Sequence, residues 1–472
     1  MRRTWFAVFL FVLVAGQLAV GMRASRTASV TGDEPFYLLT TQSLSSDGDL
    51  DLHDEYRKGE QSRFWDGTIP LWRQMEPTTD GRLLAPHDPG LALLTLPAYR
   101  VGGLRGVQRF LVVLWAAAMA CASVLARRAG APAWAAVAAA GVVGAGTPGV
   151  VYASQVYPEG PAALCAAVGL LVATGPVEKG RSHPLVLGAA LVALLWLGVK
   201  YAPLAALVAG VWAWRFRSNR PALAVAGGVA AAAAAHFVWW HLHTFGGLTP
   251  YATNVVWSGE GTAAILDHHV KVSGRTYRLY GLFIDARFGL FRWLPAALLA
   301  AWGLCRRTTV HAAVIGVGVL MGTFVSITMM GWWFPGRMLI ATFPALVVLV
   351  ALGATRLPRT AVALSVWSLA IAAALVVAAR TGELRLAVDP WKLGVPLPPS
   401  RLFPDFRSFT SRQVLLSLGW GAAITAGVWL SRGGIGRVAR TGGDPAPQRS
   451  EDAGEGPVSD RTRPMPVIEG QP

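Results

Sequence analysis

Long apolar stretches recur along almost the whole chain, and they constrain its fold more than any other feature. A helix that crosses a lipid bilayer needs about 20 apolar residues, or somewhat fewer when it is short or packed inside a bundle. Such segments lie at 5–22, 107–126, 131–151, 160–175, 184–199, 202–214, 221–243, 291–304, 308–330, 337–354, 360–379 and 413–430. The pattern predicts an all-α polytopic membrane protein with about twelve transmembrane helices.

Composition agrees with this class and disfavours nucleic-acid binding. Of the 472 residues, 53% are hydrophobic and only 14% are charged, whereas an average soluble chain has about 25% charged residues. The net charge is +16, but the basic residues fall in short clusters between the apolar segments, which is the positive-inside pattern. We expect these clusters on the cytoplasmic side: Arg2/Arg3, Arg127/Arg128, Lys179/Arg181, Arg215/Arg217/Arg220, Arg306/Arg307, Arg356/Arg359 and the tail from Arg432.

This topology places both termini in the cytoplasm and several segments outside the membrane. The segment 5–22 lacks a small-x-small cleavage site, which favours an uncleaved signal-anchor. The outer segments are 23–106, 152–159, 244–290, 331–336 and 380–412. The first of them carries 12 of the 26 acidic residues, and its stretch 88–99 is predicted to be an interfacial or re-entrant helix. We expect a transmembrane domain at 1–430 and a disordered cytoplasmic tail at 431–472.

Carboxylates at the outer ends of the spans are the first candidate site residues, because a charge near the hydrocarbon region usually has a partner or a function. Asp33 and Glu34 follow the first span, Glu159 opens the fourth, and Asp285 precedes the eighth. Each has a structural alternative. Asp33 could cap a helix, Glu159 could satisfy a helix start, and Asp285 could pair with Arg287.

Basic and aromatic residues at the outer boundary are the second set of candidates. The stretch "MMGWWFPGRMLIATFP" (329–344) places Trp333 and Arg337 at a helix start. An arginine on the outer side departs from the positive-inside bias, and a guanidinium beside a helix N-terminus suits an anionic phosphate. Lys200, at the predicted tip of a hairpin of two short helices within 184–214, could bind the same anion or extend to the interface.

Other motifs do not reach a specific prediction. The run "DGDLDLHDEYRK" (47–58) alternates acids like a calcium loop, but Leu52 and Lys58 replace the glycine and glutamate that such a loop needs. It is interpreted as a solvated turn, or at best a weak cation site. His241 and His243 are spaced two apart and do not share a helix face. The cysteines, at 121, 165 and 305, lack metal-ligand spacing. No metal site is predicted, and a divalent-cation requirement stays open.

Six short motifs, in order, resemble bacterial GT-C glycosyltransferases, the superfamily of protein O-mannosyltransferases and lipid A aminoarabinose transferases. They are "TGDEPFYLLTTQSLSSDGDLDL", "HDPGLALLTLPAY", "VYASQVYPEGPAAL", "LWLGVKYAPL", "GLFIDARFGLFRWLP" and "GWWFPGRMLIATFPAL". The resemblance covers roughly residues 1–350. It departs at Phe36, where many relatives have histidine, and the chain has no large C-terminal soluble domain.

The resemblance implies a plasma-membrane enzyme that moves a sugar, with inversion, from a polyprenyl-phosphate donor to a cell-envelope acceptor on the outer side. The position of the family's catalytic aspartate matches Asp33, with Glu34 beside it, and Glu159 is similar to a second acidic position. Lys200 and Arg337 match the phosphate-binding residues by position. The remaining residues expected to line the site are Tyr37, Tyr157, Tyr201, Asp285, Arg287 and Trp333. The implied partners are the lipid-linked sugar, membrane lipids and a lipid, glycan or protein acceptor.

Two other functions remain open from the sequence. An envelope-polymer ligase or polymerase would also have many spans, but would rely on outer-loop arginine and histidine instead of Asp33. A transporter would need ionisable residues at mid-membrane and paired broken helices, whereas the acids here lie at span ends.

Overall fold

The computed structural model describes residues 2–25, 28–66, 70–176, 182–257, 260–408 and 410–441. These residues are predominantly helical, and the β-bridge between Met75 and Asn254 is isolated. The α-helices are α1 (Arg2–Ala19), α2 (Glu34–Ser46), α3 (His53–Lys58), α4 (Gly90–Arg128), α5 (Ala133–Ala145), α6 (Gly149–Tyr152), α7 (Glu159–Ala173), α8 (Pro184–Leu197), α9 (Ala202–Arg215), α10 (Arg220–Phe245), α11 (Thr262–His269), α12 (Arg278–Ile284), α13 (Leu290–Trp293), α14 (Ala300–Gly303), α15 (Thr309–Leu320), α16 (Phe343–Arg356), α17 (Pro358–Thr381) and α18 (Ser411–Thr441).

Five helical stretches among the described residues are long and apolar enough to cross a membrane. They are Gly90–Arg128, Arg220–Thr253, Arg306–Val325, Arg337–Arg356 and Pro358–Thr381. Shorter apolar helices lie at Thr4–Ala19, Ala133–Ala145, Glu159–Ala173 and Pro184–Leu197. The predicted class, an all-α polytopic membrane protein, is confirmed. The number of about twelve crossings stays a prediction, as do the sides on which the termini lie.

Two predicted spans, 131–151 and 291–304, are interrupted in the structure. The segment 131–151 divides into α5 and α6, with the break at Gly146–Pro148, and the segment 291–304 consists of α13, a 3₁₀ turn at Pro295–Leu299 and α14. Proline has no amide hydrogen to continue the helical ladder. Thr147 Oγ1 donates to the carbonyl of Trp293 at 2.6 Å, so the two breaks are joined by a hydrogen bond.

The predicted interfacial helix at 88–99 belongs to a longer element. α4 runs from Gly90 to Arg128, with non-helical dihedral angles at Gly102 and Gly103. The helix therefore kinks at this glycine pair, and its first part precedes the apolar span at 107–126. The core packs α4 against α1, α5, α7 and α16, with side chains such as Trp115 fully buried.

Residues 1–428 and residues 429–472 are two separate units of the chain. The helix α18 continues through Thr441, so the first eleven residues of the predicted tail (431–441) are helical. The remaining residues, 442–472, lie outside the described part of the chain, as does the predicted cytoplasmic pair Lys179/Arg181.

Candidate functional site

Asp33 forms an ion pair with Arg337, which lies 304 positions later in the chain. Arg337 Nη2 lies 2.9 Å from Asp33 Oδ2. Asp33 precedes α2, and its backbone carbonyl accepts from the amides of Phe36 and Tyr37. The alternative in which its side chain caps this helix is wrong, because that side chain makes no capping hydrogen bond. Its carboxylate is directed to the arginine instead.

Glu159 joins two cations at the start of α7. Its Oε1 lies 2.9 Å from Arg337 Nε and 2.8 Å from Lys200 Nζ. Glu159 and Arg337 are buried, with side chains 4% and 6% exposed, whereas the side chain of Lys200 is 42% exposed. Lys200 lies in a 3₁₀ turn, Val199–Tyr201, between α8 and α9. Two carboxylates and two cations are therefore assembled from four separate segments.

Arg337 is held between two aromatic rings as well as two carboxylates. Its guanidinium carbon is 3.9 Å from the ring centroid of Tyr157 and 5.0 Å from that of Trp333. Stacking of this kind fixes a planar guanidinium in a way that lysine cannot reproduce. The preceding Gly336 has φ +86°, and a Cβ there would lie 2.6 Å from the ring of Pro148. Glycine at position 336 therefore allows the turn before Arg337 to approach Pro148 closely.

Glu34 has a different environment from Asp33. Its Oε1 accepts from the amide of Val156 at 2.9 Å, and its Oε2 accepts from the amide of Thr31 at 3.0 Å. Tyr157 Oη donates to the carbonyl of Thr31 at 3.0 Å. These bonds tie the segment before α2 to the turn before α7. Gly32, with φ +61°, is needed here because a Cβ would lie 2.6 Å from Tyr157 Oη.

The pKa values of the two adjacent carboxyl groups are displaced in opposite directions. Burial would raise the pKa of Asp33, but the charge of Arg337 and its hydrogen bond outweigh burial and lower the pKa to about 2. Burial raises the pKa of Glu34 to about 7, because the two backbone amides only partly replace water. Asp33 is thus held ionised, and Glu34 gains a proton near neutral pH.

The raised pKa of Glu34 predicts a stability change between pH 4.5 and about 7. In this range the folded protein binds more protons than the unfolded chain, whose glutamate has the ordinary pKa of 4.5. Stability should therefore fall by roughly 3 kcal/mol as the pH rises through this window. Thermal unfolding of the detergent-solubilised protein should show the fall, and Glu34→Gln should reduce it. An unchanged pH slope in that variant would contradict the assignment.

A cavity of about 630 Å³ opens beside this cluster. Asp33, Glu159, Lys200 and Arg337 all lie on its wall, while Glu34 is not among its lining residues. The lining of the cavity includes polar and aromatic residues, Tyr37, Trp72, Gln74, Tyr201, Tyr251 and Trp333, and apolar residues, Leu266, Val317, Met321, Val325, Ile327 and Met338. An anionic group attached to a long hydrocarbon would match both kinds of lining residue.

The residues predicted to line the site divide into three groups. Tyr37, Tyr201 and Trp333 line the cavity, and Tyr157 lies behind Arg337. Asp285 and Arg287 lie elsewhere. The carboxylate of Asp285 accepts from the backbone amides of Arg287, Phe288 and Phe406, at 2.8, 2.7 and 3.2 Å. The expected Asp285–Arg287 pair therefore involves the amide of Arg287, whose guanidinium stacks on Trp391.

Sequence reasoning missed a polar pair that precedes α4. His87 and Asp88 both line the cavity. The His87 ring stacks on Tyr37 with centroids 4.7 Å apart, and burial lowers its pKa. Asp88 accepts from His241 Nε2 at 2.8 Å and from the amide of Val199 at 3.2 Å. The available signal was two polar residues immediately before an apolar helix, in "HDPGLALL".

Comparisons with known proteins leave the family of the chain open. No protein-family model and no curated protein matches it. It is similar to a solved structure, the crystal structure of ArnT from Cupriavidus metallidurans in the apo state, with 15% sequence identity and a TM-score of 0.49. The alignment covers 91% of this chain and 72% of that chain. Likeness at this level carries no argument about function, which depends on the site itself.

Proposed function

We propose that the protein is an integral membrane glycosyltransferase that moves a sugar from a polyprenyl-phosphate donor to a cell-envelope acceptor. The observation that carries this proposal is the Asp33–Arg337 ion pair on the wall of a cavity whose lining also includes many apolar residues. Lys200 adds a second cation at the same place. A base, a phosphate-binding pair and an apolar surface are the minimum set for this reaction.

The transfer step uses the two kinds of charge differently. The acceptor hydroxyl loses its proton to Asp33 as its oxygen attacks the anomeric carbon of the sugar. The bond from that carbon to the phosphate oxygen breaks, and polyprenyl phosphate leaves with the bonding electron pair. Because this leaving group is a stabilised anion, it needs positive charge more than a proton, and Arg337 and Lys200 supply it.

The charge balance of the cluster explains how Asp33 becomes a stronger base. Without donor, two carboxylates, Asp33 and Glu159, balance the two cations. A bound donor phosphate adds negative charge and competes with Asp33 for Arg337. The pKa of Asp33 then rises from its low value, which favours proton transfer from the acceptor.

In this proposal Glu159 and Glu34 are positioning residues. Glu159 contacts both cations through Oε1 and holds them at one place. Glu34 bonds two backbone amides and fixes the segment that presents Asp33. The sequence grouped both with Asp33 as catalytic residues, and their contacts favour supporting roles.

A donor comparison tests the function. Purified protein in nanodiscs is supplied with radiolabelled polyprenyl-monophosphate sugars, polyprenyl-diphosphate sugars and nucleotide sugars, together with a membrane extract as the acceptor source. We expect protein-dependent release of polyprenyl phosphate from at least one monophosphate donor. Transfer only from a nucleotide sugar, or no consumption of any monophosphate donor across hexose and pentose series, would overturn the proposal.

His241 is predicted to position Lys200 through Asp88. Its Nδ1 lies 2.8 Å from the carbonyl of Phe237 and its Nε2 lies 2.8 Å from Asp88 Oδ1, so the ring is fully engaged. Loss of a hydrogen bond to a charged group costs about 1.5–3 kcal/mol. His241→Ala should therefore lower kcat/KM for the donor by about tenfold or more, through a higher KM and, because Lys200 also stabilises the leaving phosphate, a lower kcat.

Two further variants serve as controls for His241→Ala. His241→Gln can still donate to Asp88 and should recover part of the affinity. His243 lies two residues further along α10 and its ring faces the backbone of Trp239, so His243→Ala should leave KM unchanged. An unchanged kcat/KM in His241→Ala would contradict the positioning role.

A further inference from the structure

A second cavity, with a volume of about 370 Å³, is lined by three arginines. They are Arg306, Arg307 and Arg356, and the cavity is here termed the arginine cavity. The other residues that line it are uncharged or weakly acidic: Ala129, Cys305, Leu352 and Thr355. No carboxylate is present among these described lining residues. A cavity that gathers three guanidinium groups in this way is suited to an anion.

The arginine cavity lies where three membrane-crossing stretches end. Gly90–Arg128 ends one residue before the lining residue Ala129, and Arg306–Val325 begins with a lining arginine. Arg337–Arg356 ends with another. This last stretch has 20 residues and so spans about 30 Å, with the candidate site at its first residue. The arginine cavity is therefore remote from the candidate site, at the level where lipid headgroups surround the ends of the helices.

The guanidinium groups of this cavity have few protein partners. Arg306 and Arg307 are exposed residues, and their guanidinium groups make no ion pair or hydrogen bond within the described part of the chain. Arg356 Nη1 donates to the carbonyl of Trp302. Like charges on one cavity wall repel one another. An anion that contacts all three would relieve this repulsion.

The wall of the cavity is held in place by close packing. A Cβ on Gly303 would lie 1.9 Å from the carbonyl oxygen of Leu349, so the backbones of α14 and α16 are in contact. This contact presents the carbonyl of the neighbouring Trp302 to Arg356. Arg307 Nη1 lies 3.0 Å from the position of a Cβ on Gly130, which places its guanidinium against the turn between α4 and α5.

Cys305 reports the electrostatic environment of the cavity. It is half-buried and immediately precedes the first helical residue, Arg306. Burial would raise the pKa of its thiol, but the hydrogen bond from Thr308, the amides of Arg307 and Thr308 and the charge of Arg356 lower it. A negative charge is therefore favoured at this position, and a thiol with a lowered pKa is a usable chemical probe.

Arginines at the ends of membrane-crossing helices also follow from the positive-inside bias, which requires no cavity. Arg359 illustrates this simpler case. It lies in the first turn of α17, three positions after Arg356, and is exposed. It is not among the residues that line the arginine cavity. Arg359 is therefore a matched control for a general effect of positive charge at this end of the helices.

We propose that the arginine cavity binds the phosphate of an anionic phospholipid headgroup. Basic pockets between membrane-crossing helices suit such headgroups, and the planar guanidinium matches phosphate oxygens in pairs. Free phosphate has the same chemistry, but a lipid is concentrated at the ends of the helices. Bound lipid neutralises the three cations and ties together the ends of α4, α15 and α16. This site does not depend on the proposed sugar transfer.

The test uses the purified full-length chain, freed of lipid in detergent and titrated with phosphatidylglycerol, phosphatidylcholine or inorganic phosphate. Thermal unfolding and the rate at which iodoacetamide alkylates Cys305, measured by mass spectrometry, report binding. We expect phosphatidylglycerol to raise the unfolding midpoint saturably and to slow alkylation severalfold, with the other two probes much weaker. Cys121 and Cys165 lie within α4 and α7, outside the lining of the cavity, and should react at unchanged rates.

Two sets of variants distinguish the cavity from general charge. R306Q/R307Q should weaken the affinity for phosphatidylglycerol by about tenfold or more, since each basic residue near a membrane surface contributes to lipid attraction. Arg359→Gln should bind normally. Thr355→Glu places a carboxylate among the three guanidinium groups. It should raise the unfolding midpoint without lipid and remove the further rise caused by phosphatidylglycerol, so it does not depend on the folding of the double variant.

Three results would overturn the proposal. The first is the absence of a saturable effect of phosphatidylglycerol on both readouts in the wild-type chain. The second is an equal affinity for phosphatidylglycerol in R306Q/R307Q and Arg359→Gln, which would assign the effect to surface charge in general. The third is an effect of phosphatidylcholine or inorganic phosphate equal to that of phosphatidylglycerol at the same concentration, which would exclude an anionic lipid as the preferred ligand.

Discussion

Replacing Asp33 by asparagine should lower the kcat of sugar transfer by about 10²–10⁴-fold, the usual contribution of a general base. Asparagine has nearly the same size, but its amide cannot accept the proton of the acceptor hydroxyl. Arg337 keeps its 2.9 Å contact with Glu159, so the fold and the donor affinity should be largely retained. Donor consumption and donor binding, measured on the same nanodisc sample, separate these effects.

Matched variants test whether Asp33 is the base and whether the reaction is sugar transfer. Asp80→Asn removes an exposed carboxylate from the segment between α3 and α4 and should leave transfer unchanged. His87→Gln removes an imidazole that lies on the cavity wall and is another candidate for the base. If His87→Gln abolishes transfer and Asp33→Asn does not, His87 is the base. Undiminished activity of Asp33→Asn in polymer ligation would favour the ligase or polymerase alternative.

The pH dependence gives an independent check on Asp33. The profile of kcat/KM reports the free enzyme, in which the pKa of Asp33 is about 2, and the profile of kcat reports the donor complex. Because the donor phosphate raises this pKa, the acid limb of kcat should lie at a higher pH than the acid limb of kcat/KM. Coincident limbs would contradict competition between the phosphate and Asp33 for Arg337.

Replacing Arg337 by methionine should destabilise the protein by about 3–5 kcal/mol and abolish transfer. Removing one member of a buried group of ion pairs leaves the remaining charges under-compensated. Asp33 loses its ion pair, and Glu159, with a side chain 4% exposed, keeps only its contact with Lys200. The variant also loses the stacking on Tyr157 and Trp333. Unfolding by SDS in mixed micelles measures the free energy, and polyprenyl-phosphate release measures transfer.

Three further variants distinguish the loss of stability from the loss of sugar transfer. R337M/E159Q removes both charges and should recover a large part of the stability, while transfer stays absent. Arg337→Lys keeps the charge but not the planar contacts, so it should be more stable than Arg337→Met and still transfer slowly. Arg82→Met breaks the exposed pair with Asp80 and should cost about 0–1 kcal/mol. Transfer by R337M/E159Q at the wild-type rate would contradict the role of Arg337.

Much of the architecture could be predicted from the sequence, because a bilayer imposes simple rules. Apolar length identified helical segments that the structure contains, and the cost of charge near hydrocarbon drew attention to Asp33, Glu159, Lys200 and Arg337. The structure brings these four side chains together. The breaks at Pro148 and Pro295 were missed, since apolar composition alone does not show where a helical ladder stops.

The sequence by itself determined the membrane class and the charged residues that had to find partners, because hydropathy and charge act residue by residue. Only the tertiary structure decided between neighbours such as Asp33 and Glu34. Asp33 contacts Arg337 in the cavity, whereas Glu34 accepts hydrogen bonds from the amides of Thr31 and Val156. That choice depends on contacts between segments as many as 304 positions apart. No local pattern encodes such contacts, since they arise from how the helices pack.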